Sequence, residues 1–287
     1  MPELPEVEVI KKSLQNKISN YRVLKVSIKT PKLRYKIIKK SFSKLIGKKI
    51  LFIKRRSKYL VFKIEDYLMI VHLGMTGKFF IEKKNSKKIK TSFYYQINKK
   101  DYKYDRVIFY LNKKTKLIYN DVRKFGFIKI IELPEKKIFS HFSNLGPEPF
   151  SKQFNLSYFK SYVINKKKNV KNLLMDQRFV AGLGNIYVNE VLFSSKINPY
   201  KKCFNLNSKE ILRLIKNIKL LLNQAIKKGG SSIKNFKGAD GIEGSFQQKF
   251  RVYSKEGNNC PTRSCKNIIA RSIISNRSTF YCKSCQK

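Results

Sequence analysis

The sequence predicts an α+β chain: an N-terminal β-sandwich or barrel carrying one N-terminal helix, a helical C-terminal half, and a small cysteine-bearing β-hairpin at the end. Three observations predict it. Period-two runs rich in β-branched and aromatic residues fill the first 132 positions or so, apolar residues at helical spacing take over beyond 150, and four of the five cysteines lie between 260 and 285. The expected boundaries are residues 1–132 for the β domain, 133–150 for a hinge, 151–250 for the helical domain and 251–287 for the cysteine module.

From Pro5, EVEVIKKSLQNKI reads as a helix with proline and acids in its first turn and lysines later, which suits the helix dipole. Strand patterns follow in RVLKVSIKT, KKILFIKRRSKYLVFKI, YLMIVHLGM, RVIFYL, KLIYND and FGFIKIIEL. The Lys-rich stretch from Glu82 to Lys100 interrupts them and reads as an exposed loop. Leu145-Gly146-Pro147-Glu148-Pro149 is not helical, because each proline removes a donor and restricts the residue before it. Beyond this hinge, SYFKSYVIN, VKNLLMDQ, NIYVNEVLFSSKI and SKEILRLIKNIKLLLNQAIKK have helical periodicity. Gly229-Gly230-Ser231-Ser232 ends the last of them, and a Gly-rich segment from Gly238 to Gly244 leads to the cysteines.

The 287 residues carry 64 Lys+Arg against 18 Asp+Glu, a formal charge of +46 that points to a polyanionic partner. Codon drift towards Lys, Asn and Ile accounts for part of that excess. It does not account for Glu3, Glu6 and Glu8, which put three carboxylates into the first eight positions. No run approaches the ~20 apolar residues of a membrane span, and the acidic, proline-containing start is unlike a signal peptide. A soluble, cytoplasmic protein with no membrane partner is expected.

The tail reads Cys260-x4-Cys265-x16-Cys282-x2-Cys285, two close pairs separated by a hairpin-sized insert, as a tetrahedral thiolate site requires. Four sulfur ligands leave no place for a catalytic water, so one structural Zn2+ is expected, with disulfides or an iron site as the alternatives. Arg277 would ride the tip of the hairpin, either presented to a nucleic-acid groove or simply solvated. Gly182-Leu183-Gly184-Asn185-Ile186 precedes an apolar helical pattern, with Asn185 as the expected cap. A helix start that exposes backbone N–H groups is an anion site. Lys166, Lys167, Lys168 and Lys171 just upstream favour phosphate contact over a bare turn.

Removal of Met1, which a following proline permits, would leave Pro2 as a secondary amine with a pKa of about 8. Such an amine can attack a sugar C1′ and form an iminium, with Glu3 or Glu6 shuttling protons. Read alone, Pro2 and its acidic neighbours are better explained as the start of a helix. Met75 between Gly74 and Gly77, and Phe125 beside Arg123 and Lys124, are apolar side chains at loop tips. Each is either a core residue or a wedge for a gap in a base stack.

Taken together, PELPEVE, RRSKYL, HLGMTG, DVRKFG, LGPEP, MDQRFVAGLGNIYVNE and the four-cysteine tail resemble the formamidopyrimidine-DNA glycosylases, in that family's order and over nearly the whole chain. The resemblance implies an N-terminal β-sandwich with an N-terminal helix, a helix-two-turns-helix DNA-binding domain and a β-hairpin zinc finger. It also implies a monomer acting on damaged double-stranded DNA as a bifunctional glycosylase and abasic-site lyase of base excision repair. Pro2 would be the Schiff-base nucleophile and Glu3 the proton donor. Lys58 would assist β-elimination, and Arg277 would serve δ-elimination and hold phosphate. Met75, Arg123 and Phe125 would occupy the space of an extruded oxidised purine, Asn185 and Lys167 would hold phosphate, and residues 237–247 would contain the loop covering the base. Three departures stand out: four residues rather than two separate Cys260 from Cys265, Tyr104 replaces a phosphate-binding histidine, and the Lys-rich insertion is long. The related endonuclease VIII, which prefers oxidised pyrimidines, typically has glycine where Leu4 stands.

Overall fold

A computed structural model describes residues 2–83, 89–91, 99–134, 142–231 and 246–287. Most of the expected Lys-rich loop and of the expected base-covering segment lies outside these residues. Two compact units emerge, residues 1–142 with 229–244, and residues 143–228 with 245–287.

The first unit opens with helix α1 (Leu4–Ile18), whose Leu4, Val7, Ile10, Leu14 and Ile18 recur at helical spacing and are all buried. Two antiparallel sheets follow. One has the order β1 (Val23–Ile28), β7 (Asp105–Leu111), β8 (Thr115–Asp121), β5 (Gly77–Lys83) and β6 (Ile89–Lys90). The other has the order β2 (Ile50–Arg56), β3 (Tyr59–Ile64), β4 (Tyr67–His72) and β9 (Phe127–Glu132). The sheets share one core: the rings of Phe62 on β3 and Phe79 on β5 lie 5.7 Å apart. This is a sandwich and not a closed barrel, since the two sheets are separate. The six strand patterns correspond to seven strands here, whereas β5, β6 and the short helix α2 (Lys39–Ser43) were not foreseen. Where the Lys-rich stretch is described it is not simply an exposed loop, because β5 runs into it as far as Lys83, Ile89–Lys90 pairs with β5 and Thr91 is buried.

The second unit contains α3 (Leu156–Val163), α4 (Val170–Met175), α5 (Asn185–Ser194) and α6 (Ser208–Lys227). Phe154, Phe159 and Phe179 cluster in its core. Helix α6 starts at an Asn207–Glu210 capping box and buries Ile211, Leu214, Ile218 and Leu222 on one face. A hairpin of β10 (Ala270–Ile274) and β11 (Arg277–Tyr281) closes through Ser275 and Asn276, both at positive φ (+48° and +57°), the signature of a type I′ turn. Val252, Ile269, Phe280 and Cys282 of this module pack with Phe193 of α5. No helix among the described residues is long and apolar enough to cross a membrane.

Candidate active site and metal centre

Pro2 is buried immediately before α1. Glu3 caps that helix with only 3% of its surface exposed, and its backbone N–H donates to Glu6 Oε2 at 2.9 Å. The other oxygen of Glu6 accepts from the backbone N–H and hydroxyl of Ser231 at 2.9 and 3.0 Å. Glu6 thus joins the N-terminus to the segment that follows the Gly229-Gly230 stop. Gly230 has a φ of +82°, and a Cβ there would lie 3.1 Å from Glu6 Oε1.

Lys58 sits in the two-residue turn between β2 and β3 and is 94% buried, at 6% exposure. Its neighbour Ser57 takes a φ of +54°. Arg55 holds this turn from inside: Nε donates to Glu8 Oε2 at 2.8 Å and Nη1 to the Ser57 carbonyl at 2.9 Å. Burial works to raise the Glu8 pKa, but Lys11 and Arg55 outweigh it and hold the carboxyl below its ordinary value. An ionised Glu8 on α1 therefore fixes the backbone at Lys58.

Met75 and Phe125 are exposed, at 42% and 46%, on the loops after β4 and β8. Arg123 lies between them, with Nη1 3.2 Å from the Met75 sulfur and its guanidinium carbon 4.4 Å from the centre of the Phe125 ring. Tyr104 reaches the same corner, because the Arg106 guanidinium covers its ring at 5.6 Å and donates to the Asp121 carbonyl at 2.8 Å.

In the second unit the structure revises three expectations. Gly184, extended at φ −141° and ψ −168°, is the N-cap of α5, and Asn185 is the first helical residue. With its side chain released from capping, Asn185 donates from Nδ2 to the Ser278 carbonyl at 3.0 Å. The four lysines also divide. Lys166 and Lys167 are exposed, Lys168 pairs with Asp176 at 3.0 Å, and Lys171 is buried, donating to the Ser278 carbonyl and the Thr279 hydroxyl at 2.9 and 2.7 Å. The N-cap Gly184 has no side chain to bond the helix start, and the first turn of α5 holds no acid, so the positive end of the helix dipole behind Gly182-Leu183-Gly184 carries no opposing charge of its own. Arg277 is exposed as the first residue of β11, beside the hairpin tip and not at it.

The sulfurs of Cys260, Cys265, Cys282 and Cys285 lie within 4.8 Å of one another, with 3.7 Å between Cys260 and Cys285 and 3.6 Å between Cys265 and Cys282. Sulfurs about 2.3 Å from a common zinc would stand roughly 3.8 Å apart at tetrahedral corners. The donor set therefore fits a thiolate-bound metal ion, and the four-residue spacing of the first pair does not prevent the four sulfurs from converging.

Sequence reading did not foresee the roles of Arg55, Lys171 and Glu190. The buried Glu190 accepts the backbone N–H groups of Arg251, Val252 and Tyr253 at 2.8 to 3.0 Å and anchors the start of the cysteine module to α5.

Residues 1–128 match the model of the formamidopyrimidine-DNA glycosylase N-terminal domain, and residues 145–237 that family's H2TH domain. A formamidopyrimidine-DNA glycosylase of Rickettsia bellii is 42% identical and one of Caulobacter vibrioides 39%, each covering 100% of both chains. Among solved structures, a Lactococcus lactis Fpg bound to DNA containing an abasic site superposes with a TM-score of 0.85 at 33% identity, over 99% of each chain. MutM in complex with DNA containing carbocyclic 8-oxo-G superposes at 0.85 and 34% identity, over 100% of each. Two matched domain models and full-length relatives near 40% identity lead to one conclusion: the chain belongs to the formamidopyrimidine-DNA glycosylase family.

Proposed function

We propose that this DNA glycosylase of base excision repair removes oxidised purines, 8-oxoguanine and formamidopyrimidines, through a Schiff base on Pro2, then cuts the strand by β- and δ-elimination. The observation that carries the reading is the buried Pro2-Glu3 start of α1, with Glu6 and the Glu8–Arg55–Ser57 chain fixing the surroundings of the amine and of Lys58. Loss of Met1 makes the Pro2 nitrogen a secondary amine. It attacks C1′ as the base leaves with a proton supplied through Glu3; the C1′–O4′ bond then opens, O4′ taking the proton the amine gives up, and the resulting iminium acidifies the neighbouring C2′ hydrogen. Lys58 assists the first elimination and Arg277 the second.

Damaged duplex DNA is the partner. Asn185 at the start of α5, Lys167 and Tyr104 supply its phosphate contacts, and Met75, Arg123 and Phe125 fill the gap left by the extruded base. The four cysteines would hold one structural Zn2+ that fixes the hairpin bearing Arg277. The protein acts as a cytoplasmic monomer, with functional boundaries at residues 1–132, 133–150, 151–250 and 251–287.

Borohydride trapping tests the reading. A covalent adduct with duplex DNA carrying 8-oxoguanine opposite cytosine is expected for the processed protein and not for Pro2→Gly. An adduct of equal yield with Pro2→Gly, or none with either protein, would overturn it.

A further inference from the structure

Asp121 ends β8 and is fully buried, at 0% exposure. Its carboxylate faces two loops at once. Oδ1 accepts from the Thr76 hydroxyl at 2.5 Å, in the loop before β5. Oδ2 accepts from the Gly126 backbone N–H at 2.9 Å, in the loop before β9, and from the Tyr119 hydroxyl at 3.4 Å. The Thr76 oxygen, having donated its proton to Asp121, accepts the backbone N–H of Arg123 at 3.0 Å. A continuous chain of hydrogen bonds therefore runs from Arg123 through Thr76 and Asp121 to Gly126.

Glycines let the loops close on this carboxylate. A Cβ on Gly74 would lie 2.5 Å from the Phe125 carbonyl carbon, one on Gly77 2.6 Å from the Tyr119 hydroxyl, and one on Gly126 1.9 Å from that same hydroxyl. Just outside this closed knot stand Met75, Arg123 and Phe125, all exposed, with Arg123 touching each of the other two.

We infer that Asp121 is a positioning residue, whose carboxylate binds the Met75 loop and the Arg123–Phe125 loop into one preformed wedge for the gap in the base stack. The inference rests on the reading of these three side chains as gap-fillers given above. A carboxylate is suited to the task because it accepts from all three donors and donates to none. An amide in its place turns an NH2 group towards either the Thr76 hydroxyl or the Gly126 N–H. With the tie broken, each insertion would have to order two separate loops, and that ordering opposes binding and misplaces the side chains.

The experiment compares two substrates with zinc-loaded protein: single-turnover excision of 8-oxoguanine from a duplex, and cleavage of a preformed abasic site in single-stranded DNA, which has no opposite strand and no gap to fill. For Asp121→Asn we expect duplex excision to fall by roughly tenfold to a hundredfold, as for a displaced binding group. Single-strand cleavage should stay within about twofold of the parent, because the Pro2 site is untouched. Thr76→Val should reproduce the effect should Asp121→Asn fail to fold, Thr76→Ser should restore duplex excision, and the Asp121→Asn/Thr76→Val pair should be no worse than the poorer single variant. Full duplex excision by Asp121→Asn or Thr76→Val, or an equal loss on both substrates, would overturn the positioning role. A triple Met75→Ala/Arg123→Ala/Phe125→Ala variant separates the two ideas. Its full activity on duplex would overturn the gap-filling reading together with the inference, whereas its loss beside an unaffected Asp121→Asn overturns the inference alone.

Discussion

The buried ammonium of Lys171 donates to the Thr279 hydroxyl at 2.7 Å, so that helix α4 holds the strand of the hairpin that begins at Arg277. A second donor, Asn185, meets the same strand at the Ser278 carbonyl, and the Asn189 side chain accepts the Phe280 N–H at 2.8 Å. Helices α4 and α5 thereby set the position of Arg277 through three side chains. Replacing Lys171 by Met is expected to lower the ratio of δ- to β-elimination ends on a cleaved abasic strand while leaving the Pro2 adduct yield unchanged. Gel analysis of the ends reads that ratio directly, and an unaltered ratio would mean the hairpin holds Arg277 without Lys171.

The same lysine gives a dependence on pH. Burial first, and then the charge of Arg277, push its pKa down from 10.5 to about 8. Below 8 the folded protein carries a buried cation, and that penalty is fully present. Between about 8 and 10.5 the unfolded chain binds the proton while the folded chain does not, so this group makes stability rise with pH across that window. Urea midpoints measured across the window should show a positive contribution in the parent that Lys171→Met removes. Parallel pH profiles for the two proteins would contradict it.

Much of this was legible in the sequence, for physical reasons that differ by element. The sheets were readable because burial against a single core forces β-branched and aromatic residues into period two. Strand β5 escaped because Phe79-Phe80-Ile81 is a continuous apolar run that passes into the Lys-rich stretch without a turn signal. The cysteine spacing exposed the four-sulfur cluster, because ligands for one ion must converge on a point. Lys171 and Lys168 looked like phosphate contacts because sequence records charge and not burial. Their partners, Thr279 and Asp176, lie 108 and 8 residues away. Asp121 stood inside a quoted motif, yet its bond to Thr76 spans 45 residues and carries no periodic signature.

Metal removal should separate the hairpin from the helices. The module's buried cluster contains Cys260 and Cys282 beside Phe193, Val252, Ile269 and Phe280, too small a core to hold a unit of this size without a further tie. Chelation, or Cys282→Ser, is expected to abolish amide-exchange protection in β10 and β11 and to reduce abasic-site cleavage, while α6 stays protected. Metal analysis of the purified protein should find about one zinc per chain. Retained hairpin protection after complete chelation would contradict the structural role.

Asp176 predicts the acid limb of stability. Burial acts to raise its pKa, but hydrogen bonds from the Arg178 side chain and backbone, and from Lys168, outweigh it and bring it from 3.8 to about 2. The stabilisation is therefore complete above 3.8 and is lost as pH falls towards 2. Asp176→Asn should flatten the acid unfolding curve in that interval while lowering stability at neutral pH. An unchanged curve between these values would show that the Asp176 cluster contributes nothing to folding.

Salt dependence distinguishes selected charge from drift. Each phosphate neutralised releases counterions and adds about −0.9 to the slope of log K against log salt on duplex DNA. A formal charge of +46 far exceeds the number of phosphates one protein can meet, so the slope counts contacts and not lysines. Lys167 is exposed, whereas Lys168 is already committed to Asp176 and Lys171 to the hairpin. Lys167→Ala should therefore reduce the slope by about 1 on undamaged duplex, uniformly across sequences, as expected for a phosphate contact. Lys168→Ala should leave the slope nearly unchanged and instead shift the acid stability governed by Asp176. If the two variants moved the slope equally, the ion pair at 3.0 Å would not withhold Lys168 from DNA, and local charge density would govern binding in place of individual contacts.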